Sequence, residues 1–489
     1  MSASRLSVSR LFWSAFLVLC SAACLGAEER TERFDRDPGW DGHNHRSKAF
    51  AAREIRQDFG YSNTAHAGGK PGEIGGFVTP AGEPAYYAKK LPQKTFDDKL
   101  TASGTLISKG REYHALIGFF NSDTINEWRT PNTIALRVSG RGDVFYAWLE
   151  YCTQRWRAGG DEPQSFPTER DPQTSRQQFK GFAQNVVHRW TLEYDPKANK
   201  GHGAVFATID GVKAICHVAE GHQADGAVFN RFGIMTVMKS ADTGGEFWLD
   251  DVTINGVHED FSKDPGWEGF QNRRIYTSPI VRPRFDFGFS PARFAGGAGA
   301  GELGGLVFRG DCRYPDKMAC YGDRLDELTL EKPLRASGKV VLTRGVSDST
   351  VLFGFYHSKD SMTVNPSQAQ GLPKSFLGIS TDGPSSQGFY ITPVYRVKAE
   401  GQAYGTGKLP RIFPDGKPHD WSLEYSPTAA NGRGEITVTL DKQQAKLMLE
   451  PSHKASGARF DRFGLVTTWI DGNSQTIYLD DLTYTWKQK

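Results

Sequence analysis

Val144-Phe145-Tyr146-Ala147-Trp148-Leu149-Glu150-Tyr151 changes character at every residue. Successive side chains of a β-strand point to opposite faces. Phe145, Ala147, Leu149 and Tyr151 therefore share one face, and Tyr146, Trp148 and Glu150 share the other. The first set reads as core, and the second puts two rings and a carboxylate on the opposite surface. The same alternation runs through Ala204–Ile209 and Glu435–Leu440. Each run is short, rich in β-branched or aromatic residues, and bounded by Gly, Asp, Asn or Pro, as strands are. No long stretch spaces its apolar residues at helical period between caps. The fold class read from the chain is all-β.

The strand runs belong to a duplication. Phe34-Asp35-Arg36-Asp37-Pro38-Gly39-Trp40 returns as Phe261-Ser262-Lys263-Asp264-Pro265-Gly266-Trp267. Gly118-Phe119-Phe120-Asn121-Ser122 returns as Gly354-Phe355-Tyr356-His357-Ser358. His188-Arg189-Trp190-Thr191-Leu192-Glu193-Tyr194 returns as His419-Asp420-Trp421-Ser422-Leu423-Glu424-Tyr425. The period is about 230 residues, whereas solenoid repeats run roughly 20 to 50. The unit repeated is thus a whole domain, and many short strands over that length suggest a two-sheet sandwich or jelly roll. The expected organisation is a leader over 1–27, one sandwich over 28–257 and its duplicate over 258–489.

The leader expectation rests on Arg5 and Arg10 ahead of the apolar run Leu11 to Leu19, with small residues up to Ala27. That order is a secretory signal peptide, too short for a comfortable membrane span. It implies a secreted, periplasmic or envelope protein with no membrane span in the mature chain. The formal net charge of +3 is nearly balanced and no Lys/Arg block occurs, so nothing in the composition points to nucleic acid. In an oxidising compartment Cys312 and Cys320, in a polar Gly/Pro-containing loop, read as a loop-closing disulfide. Cys152 and Cys216 lie in strand-like stretches, where a second bridge and two buried thiols are both open.

The closing strands Glu246-Phe247-Trp248-Leu249-Asp250-Asp251-Val252-Thr253-Ile254 and Thr476-Ile477-Tyr478-Leu479-Asp480-Asp481-Leu482-Thr483-Tyr484 carry a resemblance. Each looks like the last strand of extracellular jelly rolls such as carbohydrate-binding modules and concanavalin A-like (laminin-G-like) domains. The length of each copy fits the concanavalin A-like group. One Asp of each pair, Asp250 or Asp251 and Asp480 or Asp481, must face inward, where an unpaired carboxylate is costly. The resemblance implies a structural Ca²⁺ there, held against the N-terminal segment, with Asp37 and Asp264 as further ligands. Hydrogen bonds to backbone N–H groups, Arg231 or Arg462 would satisfy the same carboxylates.

The richest stretch for function is Phe119 to Trp156. Sugars stack their apolar faces on aromatic rings and are gripped at their hydroxyls by planar polar groups. Asn121, Trp128, Arg129, Arg137, Tyr146, Trp148 and Arg155 supply such groups, and Glu127, Glu150 and Tyr151 are the nearest approach to a catalytic set. The second copy diverges over this stretch while keeping its framework. The Glu-x-Asp-x-Glu strand of concanavalin A-like glucanases, Gly-x-Ser-x-Gly and His-Glu-x-x-His are all absent. The expected function is recognition of an extracellular polysaccharide. A glycoside hydrolase or polysaccharide lyase in the first copy, and a structural or adhesive envelope protein, are the alternatives.

Overall fold

The computed structural model describes residues 28–47, 52–109, 112–159, 166–170, 177–367, 371–385, 387–398 and 401–487. The leader over 1–27 lies outside the described residues. No helix among them is long and apolar enough to cross a membrane.

The fold is all-β and antiparallel, built as two-sheet sandwiches. Two large sheets, one of nine strands and one of eight, face each other across a core containing Phe59, Leu106, Ile117, Leu136, Phe145, Trp190 and Phe247. Two eight-stranded sheets enclose a second core containing Phe287, Leu342, Phe353, Ile379, Trp421 and Leu479. The repeated Trp190 and Trp421 occupy the same place in the two cores, and their indoles donate to the carbonyls of Thr105 and Lys339. The alternation of Val144–Cys152 is realised as read. Phe145, Ala147, Leu149 and Tyr151 enter the core, while Tyr146, Trp148 and Glu150 face away from it.

The sheets do not follow the repeat boundary. Strand Glu28–Glu32 pairs antiparallel with the closing strand Ser474–Lys487, and Asp41–His43 pairs with Cys320–Thr329. Both opening strands of the first repeat thus lie in the sheets of the second sandwich. Glu268–Phe270 and Arg273–Ser278 open the second repeat, yet they pair with Tyr86–Thr95 and Arg53–Ser62 of the first sandwich. Trp40 and Trp267 follow the strands. Trp40, 7% exposed, packs on Phe34, Tyr321 and Tyr484 of the second core, and Trp267, 9% exposed, packs on Phe261 and Tyr87 of the first. Each Asp-Pro-Gly-Trp turn is closed by its Asp, since Asp37 and Asp264 each accept the N–H two residues on at 2.9 Å. The preceding Phe34 and Phe261 take φ of 53° and 50°, the left-handed conformation that swings the chain into the turn.

The disulfide expected between Cys312 and Cys320 is not formed. Cys312 packs with Met318 and Trp469, and Cys320 sits in a strand beside Leu352 and Tyr356. Burial pushes the Cys320 thiol up to about 11, so it stays protonated and behaves as a small apolar group. Cys152 and Cys216 are likewise buried thiols with no bridge between them.

Candidate functional site

In each sandwich one sheet turns a chemically rich face away from the core. On the first, Arg137 lies opposite Trp148 in the register of Thr133–Arg141 with Val144–Cys152, and Ser139 lies opposite Tyr146. The loop between Phe120 and Thr133 folds back over this face. Its Trp128 ring lies 5.0 Å from the Arg137 guanidinium, which is also 4.1 Å from the Trp148 ring. Arg137 Nε meets Glu150 Oε1 at 2.5 Å, and Glu150 is 2% exposed. Trp128 and Trp148 therefore each engage a guanidinium, Tyr146 packs beside Trp148 with ring centroids 6.1 Å apart, and the carboxylate is shielded.

The other residues singled out in this stretch disperse. Arg129 is buried with its guanidinium 5.8 Å from the Trp128 ring. Glu127 reaches the second sandwich, accepting from the Ser347 N–H and hydroxyl at 3.3 Å. Burial raises the Glu127 carboxyl to about 7. Asn121 caps a short turn, accepting from Asp123 N at 3.0 Å, and Arg155 is exposed. Tyr151 belongs to the core face. Its hydroxyl accepts the Ala219 N–H and meets His222 Nδ1, each at 3.0 Å. Burial raises its pKa, the reverse of what a catalytic base needs. His114 is also poor as a base, because burial, helped by Lys239 and Arg137, holds its imidazole neutral far down the pH scale.

The equivalent face of the second sandwich is open. Gly118 faces Ala135 across one strand pair, and its repeat partner Gly354 faces Gly378 across the other. Two residues further on, Ser380 stands where Arg137 stands in the first copy, and Thr392 faces it in place of Trp148. Replacing a guanidinium and an indole by two small hydroxyls leaves a cavity of about 510 Å³. Its walls include Tyr390, Tyr404 and Gln402. Tyr404 pairs in register with Val394, and Gln402 with Arg396, so both edge-strand residues share the face that carries Tyr390 and Thr392. Tyr404 is 44% exposed. At the rim Arg309 binds Asp382 at 3.0 Å and donates to Thr350 Oγ1 at 2.9 Å. Cavities of this size with a few converging polar groups are typical small-ligand sites. The alternation of Gly388–Arg396, with Phe389, Ile391 and Tyr395 inward, was the signal that would have placed Tyr390 and Thr392 on this surface.

The Asp pairs are structural. Asp250 and Asp480 are buried, and each accepts the N–H of the following residue at 2.7 Å. Burial pushes both carboxyls up to about 6. A Cβ on Gly68 would lie 1.6 Å from Asp250 Oδ2, and one on Gly297 2.0 Å from Asp480 Oδ2, so only glycine lets each loop close over its carboxylate. Asp481 turns outward to accept the Ala298 N–H, and Asp251 is exposed. Asp37 lies against the Tyr321 hydroxyl at 3.3 Å. Among the described residues no group of three His, Cys, Asp or Glu side chains is placed to hold a metal ion.

No family model matches the chain, and no curated protein does. Among solved structures, the chain is similar to domains LG4-5 of the mouse laminin alpha1 chain, at 10% identity over 82% of this chain and 86% of that one, with a TM-score of 0.20. It is similar to the Emp47p carbohydrate recognition domain, at 9% identity over 38% of this chain and 83% of that one, TM-score 0.25. It is also similar to alginate lyase Aly36B in complex with alginate trisaccharide, at 9% identity over 47% and 98%, TM-score 0.22. Likeness at this level does not transfer an activity.

Proposed function

We propose that the chain is an exported carbohydrate-recognition protein whose glycan binds on the outer face of the second sandwich. The observation that carries this reading is the cavity of about 510 Å³ lined by Tyr390, Tyr404, Ser380, Thr392 and Gln402. Phenol rings offer flat apolar faces with a polar tip, and hydroxyl and amide groups match sugar hydroxyls. Export is read from the leader over residues 1–27.

Recognition is favoured over hydrolysis or elimination at this place. Glycosidases use two carboxyl groups flanking the bond. Asp382 is the one carboxylate among the described residues lining the cavity, and it is engaged by Arg309 and Thr350. A tyrosine base would need a lowered pKa, but burial and the Asp382 charge raise that of Tyr404.

The test is binding to a panel of polysaccharide fragments, with products assayed in parallel. Tyr390→Ala and Tyr404→Ala should each weaken binding by roughly tenfold, about 1.4 kcal/mol, without unfolding the chain. Retained affinity in both variants, or release of reducing ends or unsaturated products, would contradict this reading.

A further inference from the structure

A second cavity, of about 290 Å³, adjoins the first and shares Tyr390 and Leu409 with it. The second cavity differs in charge. Lys408 and Arg411 line it beside Gln387, and no acidic side chain does among the described residues. Arg411 lies directly across from Tyr390 in the register of Gly388–Arg396 with Arg411–Ile412, so the two share the outer face.

The guanidinium is held in place. Arg411 Nη1 donates to Gln387 Oε1 at 3.2 Å, and the same amide oxygen accepts from Arg157 Nη1, of the first sandwich, at 3.0 Å. Arg157 is neutralised by Asp225, whereas Arg411 and Lys408 make no ion pair among the described residues. Two guanidiniums meeting on one neutral amide leave a local excess of positive charge. His222 lies beside this amide. Its Nε2 lies 2.9 Å from the Gln387 amide nitrogen. Its imidazole is lowered to about 4, first by burial and then by Arg157, with Arg411 adding to it.

We propose that the glycan bound on this face is anionic, and that Lys408 and Arg411 take the carboxylate or sulfate of a sugar adjacent to the one held by Tyr390 and Tyr404. This rests on the glycan reading above and narrows it to acidic polysaccharides. A planar guanidinium with free N–H groups matches either oxyanion, and Lys408 adds a point charge on a loop containing Gly405 and Gly407.

Titration calorimetry on the full mature chain tests it. The probes are uronate oligosaccharides and their carboxyl-reduced forms, and sulfated oligosaccharides and their desulfated forms, at low and high salt. The wild type should bind at least one charged probe roughly tenfold or more tightly than its neutral counterpart. That preference should shrink as salt rises. Lys408→Gln with Arg411→Gln should abolish the preference and leave affinity for the neutral probe unchanged. Which charged series responds assigns the anion as carboxylate or sulfate. Equal binding of charged and neutral probes by the wild type, or a preference that survives in the double variant, overturns the anionic site and leaves glycan recognition standing. Absence of binding by every probe overturns both.

Discussion

Arg137 and Glu150 form an ion pair that is closed off by Trp128 and Trp148. Removing one member of such a buried pair leaves the other charge uncompensated, at a cost of about 3–5 kcal/mol. Glu150→Gln should therefore lower the thermal midpoint in scanning calorimetry while leaving affinity for the glycan unchanged. Loss of binding with stability intact would put the ligand on the first copy instead. Glu127 gives a pH signature. Its folded pKa of about 7 stands above the ordinary 4.5, so the unfolded chain ionises first. Its contribution is neutral below pH 4.5 and turns unfavourable as pH rises through that window. The stability gap between Glu127→Gln and wild type, measured by denaturant titration, should open between those two pH values and stay constant above. The outward set Tyr146, Trp148 and Glu150 was legible because alternation is local. That Trp128 returns to cover Arg137 was not, because a loop's path depends on tertiary contacts the pattern does not encode. The Cys312–Cys320 expectation failed for a related reason. Spacing and loop composition suggested a bridge, but Cys312 turns into an apolar pocket with Met318 and Trp469.

The opening strand pair with its Asp-Pro-Gly-Trp turn is the element that ties the halves together. Glu28–Glu32 and Asp41–His43 complete the second sandwich, and Glu268–Phe270 and Arg273–Ser278 complete the first. Losing a buried tryptophan in a core typically costs about 3–5 kcal/mol. Trp40→Ala should accordingly speed hydrogen exchange in peptides from residues 285–487 and spare those from 53–254, and Trp267→Ala should do the reverse. The opposite assignment in either variant would mean that each repeat keeps its own opening segment. The motif itself was plain in the sequence because it occurs twice. Its destination was hidden, because two near-identical plugs fit two near-identical sockets and only the chain's path selects between them. One Asp of each pair faces inward, as the alternation required; Asp250 and Asp480 each accept the N–H of the following residue, and Gly68 and Gly297 let a loop close over them.

Across the whole molecule, duplication kept two frameworks and freed one surface. The first copy fills its outer face with Trp128, Arg137 and Trp148, and its loop meets the second copy at Ser347. The second copy places Ser380 and Thr392 at the matching positions and is left with a groove. Arg157 and His222 of the first copy also meet Gln387 at the end of that groove, so the first sandwich buttresses the face that the second presents. Divergence between the copies was visible in the sequence, but which copy kept an open face depended on side-chain volumes meeting across strands. The most direct measurement is hydrogen exchange of the mature chain with and without a bound oligosaccharide. Protection confined to peptides spanning 376–412 is the expected result. Protection over 120–152 with none in the later segment would contradict the assignment of the glycan to the second sandwich.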